Sequence, residues 1–215
     1  MSANGPMDRI LDGGVVAIMR AKSSDQLLGA AKAVLAGGVA AIEVTMTTPG
    51  ALDVIRQATS QFGKEVLFGV GSVLDAETAR AAILAGAQFV VCPTLKLVTI
   101  EICRRYSIPV VPGAYTPTEI LSAWEAGANA VKVFPASAGG PAYLKAIKGP
   151  LPQISLTAVG GVTVENTADF IRAGADFIGV GGELVNQKLL DASDFAQITE
   201  RARAFRLEVE KGRSR

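Results

Sequence analysis

The chain contains no histidine. That absence removes Ser-His-Asp and Cys-His catalysis, and with them most zinc sites, whose commonest nitrogen ligand is imidazole. Chemistry must then rest on Lys, Arg, Glu, Asp, hydroxyls or backbone amides. Cysteine is scarce: Cys92 and Cys103 form neither a Cys-x-x-Cys pair nor a ligand cluster. Cys92 ends the run Phe89-Val90-Val91-Cys92 and reads as a small buried hydrophobe. Charge of one sign is not in excess. The 21 basic and 20 acidic residues leave +1, so neither nucleic acid nor an acidic membrane is an expected partner. Mean hydropathy is positive, yet no apolar run reaches the ~18 residues of a membrane helix. The opening Met1-Ser2-Ala3-Asn4-Gly5-Pro6 has no basic segment leading into an apolar stretch, so no export signal is read and a cytoplasmic location is expected.

What is present is apolar and repetitive. The 215 residues are 49% hydrophobic and only 19% charged, which suits parallel strands covered on both faces. Four segments share one pattern: Leu35-Ala36-Gly37-Gly38-Val39, Leu84-Ala85-Gly86-Ala87-Gln88, Glu125-Ala126-Gly127-Ala128-Asn129 and Arg172-Ala173-Gly174-Ala175-Asp176. Each leads into an apolar run. Gly37, Gly86, Gly127 and Gly174 read as left-handed helix ends, and the runs as the next strands. They lie 49, 41 and 47 residues apart, about two βα units of a compact barrel at ~25 residues each. Four further apolar runs fit between them, at 15–18, 66–70, 109–111 and 154–158. Ser23 or Ser24, Thr163 and the capping box Thr116-Pro117-Thr118-Glu119 mark helix starts. The expected fold is α/β, a single eight-stranded parallel (β/α)₈ TIM barrel. One domain is expected over 1–215, with a short N-terminal helix at about 6–12, the barrel at about 14–184 and a C-terminal helix at about 192–210. The charged segment 201–215 reads as a helix end fraying into solvent, its basic residues a solvated face.

Function in such a barrel collects at the C-terminal strand ends. Lys132 interrupts Ala130-Val131-Lys132-Val133-Phe134, apolar on both sides. Burial disfavours the charged amine and makes it nucleophilic, the requirement for a Schiff-base lysine. A lysine that snorkels or pairs structurally is the alternative. Glu43, inside Ala40-Ala41-Ile42-Glu43-Val44-Thr45, is a carboxylate in the same predicament. A raised pKa suits acid–base work; a structural Glu43–Lys132 ion pair is the alternative. Arg20 closes the first strand, where it is shaped to hold a carboxylate or to form a surface salt bridge. Gly160-Gly161 and Gly181-Gly182 follow the seventh and eighth strands, the loops with which barrel enzymes often bind phosphate, or else tight turns. Ser72 ends Gly69-Val70-Gly71-Ser72, as a substrate contact or a helix cap. Pro93, Thr94 and Phe134 read as pocket walls or as loop packing.

In this order, Ala36-Gly37-Gly38-Val39 leading to Ile42-Glu43-Val44-Thr45, then Gly69-Val70-Gly71-Ser72-Val73, Pro112-Gly113, Thr116-Pro117-Thr118-Glu119, Val131-Lys132-Val133-Phe134-Pro135 and Gly160-Gly161-Val162 resemble the 2-keto-3-deoxy-6-phosphogluconate/4-hydroxy-2-oxoglutarate aldolase family. The resemblance implies a class I aldolase that needs no cofactor and no metal. Lys132 would form the imine with a 2-keto acid and Glu43 would move protons. The products would be pyruvate and glyceraldehyde 3-phosphate, or pyruvate and glyoxylate from the smaller, unphosphorylated substrate. Family members are usually homotrimers. Many have arginine where this chain has Thr47, a carboxylate-binding position; others have threonine there and rely on the first-strand arginine, here Arg20. Val159 stands where many gluconate-type members have threonine and some galactonate-type members valine. Glu183 stands where a serine often contacts phosphate. Other readings of the same residues are an isomerase or epimerase using Glu43 without a covalent lysine, and a non-catalytic assembly on this barrel.

Overall fold

In the computed structural model, which describes residues 5–214, strands and helices alternate along the chain. Most of the N-terminal stretch read as free of an export signal, and the last residue of the charged C-terminal segment, lie outside the described residues. Helix α1 (Pro6–Gly13) precedes β1 (Val15–Met19), α2 (Ser24–Ala36), β2 (Ala41–Thr45), α3 (Ala51–Phe62), β3 (Leu67–Gly71) and α4 (Ala76–Leu84). Next come β4 (Val90–Val91), α5 (Leu97–Arg105), β5 (Val110–Val111), β6 (Gly113–Ala114), α6 (Pro117–Glu125) and β7 (Val131–Val133). A 3₁₀ turn (Ala136–Ala138) leads to α7 (Gly140–Lys148), β8 (Leu156–Val159), α8 (Val164–Arg172), β9 (Phe177–Val180), α9 (Gln187–Asp191) and α10 (Phe195–Arg213).

The sheet runs β5-β4-β3-β2-β1-β9-β8-β7-β6, every pair parallel. Nine strands rather than eight result from one proline. Pro112 has no N–H to donate and splits the fifth barrel strand into β5 and β6. The two halves still join the barrel: Cys92 N donates to the Val111 carbonyl at 3.1 Å, and Lys132 N donates to the Pro112 carbonyl at 2.9 Å. The expected eight-fold parallel TIM barrel is thus the observed architecture.

Two apolar layers hold it. The larger lies between strands and helices. The smaller fills the lower barrel with Val16, Ala41, Leu67, Phe89, Val111 and Phe177 among others, and α1 plugs that end through Ile10, 1% exposed. Burying an isoleucine stabilises by roughly 1.5–3 kcal/mol.

The helix-end repeat holds with a one-residue correction. Gly86, Gly127 and Gly174 are left-handed, but in the first segment the left-handed residue is Gly38, not Gly37. Val39 N donates to the Val34 carbonyl as Ala87 N does to Ala82, which sets the true register. Gly37 answers to packing: a Cβ there would lie 2.4 Å from the Ala202 Cβ of α10.

The C-terminal reading also needs correction. The last helix continues to Arg213 and does not fray, because Ala202, Phe205 and Val209 are buried. Two of its arginines serve the orphan carbonyls at the end of α1. Arg206 donates to the Gly13 carbonyl, and Arg213 to that of Asp12 at 3.0 Å and to that of Leu11. The capping boxes at Thr116 and Thr163 form, and Ser23 rather than Ser24 caps α2. Among the described residues, no helix is long and apolar enough to cross a membrane.

Candidate active site

Parallel strands end together at one mouth, and alternate residues of each point into the barrel. There a cavity of about 400 Å³ opens. Arg20, Glu43, Ser72, Pro93, Lys132 and Phe134 line it. Val159, Gly160, Gly161, Gly181, Gly182 and Glu183 complete the residues singled out in the sequence. Thr47 does not line it: it is exposed beyond β2, its hydroxyl 2.8 Å from that of buried Thr45. Thr94 is likewise exposed and outside the wall. Sequence reasoning missed Ile18, Val162, Thr163 and Gly179, which also line the cavity. Ile18 and Gly179 carried a signal, since each lies two residues before a residue already singled out and therefore faces the same way.

Lys132 and Glu43 are 6% and 3% exposed. Desolvation is the main effect on both. It lowers the Lys132 pKa against the opposing charge of Glu43, and raises that of Glu43 against Lys132 and Arg20. Both shifts therefore move the pair toward the neutral amine and the neutral acid. The structural ion pair is not formed. Among the described residues the salt bridges lie elsewhere, mostly between helix neighbours, and none includes Lys132, Glu43 or Arg20. Among the described residues Arg20 therefore has no ion-pair partner, and it lines the cavity. Lys132 Nζ lies 4.7 Å from the centre of the Phe134 ring, which walls one side.

Glycine makes room for the carboxylate. A Cβ on Gly71 would fall 1.6 Å from Glu43 Oε1, so β3 can carry no side chain where Glu43 leans across it. Ser72, at φ 59°, turns the chain into the mouth. It is not a helix cap, because Asp75 caps α4. The two glycine pairs differ. Gly160 and Gly161 have φ of 90° and 76°, and the Gly160 carbonyl accepts from Ser137 N at 2.9 Å. Gly181 and Gly182 are not left-handed; a Cβ on Gly182 would meet nothing within 4 Å, so that pair leaves open space. Glu183 lies exposed on the rim, its backbone carbonyl accepting from Arg201 at 2.9 Å. Burial pushes the Cys92 thiol up to about 12, so it stays protonated and is no nucleophile.

The arrangement brings a desolvated amine, a carboxyl group held toward its neutral form and a guanidinium around one cavity. Comparison with known proteins points the same way. A family model described as KDPG and KHG aldolase matches residues 7–201. The chain is 39% identical over 171 residues to the 2-dehydro-3-deoxy-6-phosphogalactonate aldolase of Escherichia coli (strain K12), covering 79% of this chain and 83% of that one. It is 36% identical over 179 residues to the 2-dehydro-3-deoxy-phosphogluconate aldolase of Pseudomonas aeruginosa, covering 82% and 80%. Among solved structures, KDPG aldolase from Legionella pneumophila, with pyruvate captured as a covalent carbinolamine, superposes with a TM-score of 0.87 at 28% identity, covering 94% of this chain and 98% of that one.

Proposed function

The chain belongs to the KDPG and KHG aldolase family, and we propose that it cleaves a 2-keto-3-deoxy-6-phospho sugar acid, of gluconate or galactonate type, through a Schiff base on Lys132. It is a carbon–carbon lyase that releases pyruvate and glyceraldehyde 3-phosphate. The observation that carries the residue roles is a buried lysine with a lowered pKa beside a buried glutamate with a raised one, at the mouth of one cavity.

The neutral Lys132 amine adds to the C2 carbonyl, giving a carbinolamine. Glu43, neutral at rest, protonates the departing hydroxyl, so that loss of water leaves a protonated imine and a Glu43 carboxylate. Glu43 removes the proton of the C4 hydroxyl, the C3–C4 bond breaks, and its electron pair moves into the imine to form an enamine. Glyceraldehyde 3-phosphate departs. Return of a proton to C3 and hydrolysis then free pyruvate and the amine. Glu43 serves in turn as acid, base and acid again, for which a pKa raised toward the working pH is suited. Arg20 is assigned the substrate carboxylate. Ser72, Pro93, Phe134 and Val159 shape the pyruvate end, and the amides at Gly160, Gly161, Gly181 and Gly182 face the phosphate.

A second reading, a smaller unphosphorylated substrate such as 4-hydroxy-2-oxoglutarate, is favoured by Glu183 on the rim, since a carboxylate there repels a phosphate unless it turns away. Release of pyruvate from each substrate, compared as kcat/KM, decides. Preference for a phosphorylated sugar acid supports the first reading; preference for the unphosphorylated acid replaces it with the second. The chain is further assigned to one domain, to the cytoplasm and to a homotrimer. For the last, Leu74, Leu97 and Val98, each more than half exposed, offer apolar surface for a second copy. Sedimentation at micromolar concentration tests that assignment.

A further inference from the structure

Beneath the reactive pair the barrel encloses a second void of about 10 Å³, room for about one water. Its walls are apolar but for two side chains, Glu43 and Thr157. Glu43 borders both this void and the cavity above. Thr157 is the strand neighbour of Lys132, paired with it in register between β7 and β8. It is 2% exposed, and its hydroxyl has no hydrogen-bond partner. A buried hydroxyl left unpaired is unfavourable by more than a hydrogen bond normally contributes. The reaction as derived makes no use of it.

We propose that Thr157 is a positioning residue whose hydroxyl holds one water in this void, and that the water donates to the inward oxygen of Glu43 and fixes the aim of its carboxyl group. The inference rests on the reading of Glu43 as proton carrier. Two polar partners are the minimum that keeps a buried water in place. Glu43 and Thr157 are the two polar side chains on its wall, and the Thr157 hydroxyl is otherwise without a partner. The charged and titratable groups facing Glu43 are Lys132 from β7, Arg20 from the end of β1 and the protonated thiol of Cys92 after β4. None of these is a donor from below, so the water is the only support on that side.

A donor to the carboxylate favours its charged form. Removing it in Thr157→Val therefore raises the Glu43 pKa beyond the value burial already gives it. The acidic limb of the kcat/KM profile moves to higher pH by roughly half a unit to one unit, the ionisation equivalent of one hydrogen bond. Thr157→Ser, which keeps the hydroxyl, returns the limb to its parent position. An unmoved limb in Thr157→Val, or one displaced equally in Thr157→Ser, overturns the proposal. A merely structural threonine would change thermal stability and leave the limb in place. Should the valine variant not fold, a high-resolution crystal structure of the parent decides. An ordered water within hydrogen-bond distance of both side chains supports the assignment, and an empty void overturns it. Borohydride trapping of pyruvate on the parent separates the two levels: no adduct on Lys132 removes the underlying reading, whereas an adduct with an unmoved limb removes only the role of Thr157.

Discussion

The lower and upper halves of the barrel interior are built from the same strands and differ in almost every side chain. Ala41 and Glu43 on β2 are two positions apart, as are Ala130 and Lys132 on the sixth barrel strand. Val16 and Arg20 are four apart, and Leu67 gives way to Gly69 and Gly71 along β3. Below, Phe89, Val111 and Phe177 close the space, and Ile10 seals it. Above, charge and glycine keep it open. The lower half provides the apolar wall that desolvates Glu43 and Lys132; the upper half opens to the cavity. Stability and reactivity are thus adjacent turns of the same strands.

Breaking the upper half alone has the largest expected effect. Lys132→Ala lowers turnover by roughly four orders of magnitude or more, because the covalent route is lost. Circular dichroism of that variant stays that of the parent. Glu43→Gln keeps the shape and loses the proton carrier, at roughly 10²- to 10⁴-fold in kcat, measured by steady-state pyruvate release. Gly71→Ala is a finer cut. Its methyl group would overlap Glu43 Oε1. The methyl group also meets Glu43 Cδ and Cγ, so the buried side chain has to move as a whole; activity falls roughly a hundredfold through misplacement, and the melting temperature falls with it. Ile10→Ala cuts the other half. It destabilises the fold by roughly 2–5 kcal/mol in denaturant titration and leaves kcat of the folded protein near the parent value. A large kcat loss in Ile10→Ala would show that the two halves are not separable in this way.

The same contrast explains what the sequence made legible. Lys132 and Glu43 stood out because a charge in an apolar run violates the pattern around it, and both proved buried at the mouth. The strands were legible as runs and the helix starts as capping residues. Pro112 was not read as a break, because a strand interrupted by one missing donor looks continuous in composition. Gly37 and Gly38 were confused because two adjacent glycines meet different needs, close packing and a left-handed turn, that a letter does not distinguish. Thr47 was assigned to the site by family position, but it lies past the strand end, outside the cavity. The arginines of α10 looked like a solvated face because their acceptors, carbonyls at the end of α1, are nearly two hundred residues away. Thr157 escaped notice because a threonine in a strand is an ordinary β-former. Only its position over the inner void and its unpartnered hydroxyl distinguish it.

The central claim is that burial makes Lys132 a nucleophile toward a 2-keto acid. Mass spectrometry of the chain after incubation with pyruvate and borohydride tests it most directly. The account predicts a reduced pyruvate adduct on the peptide carrying Lys132, and none in Lys132→Ala. Folded protein at saturating pyruvate that carries no adduct, or carries it on another lysine, would contradict it.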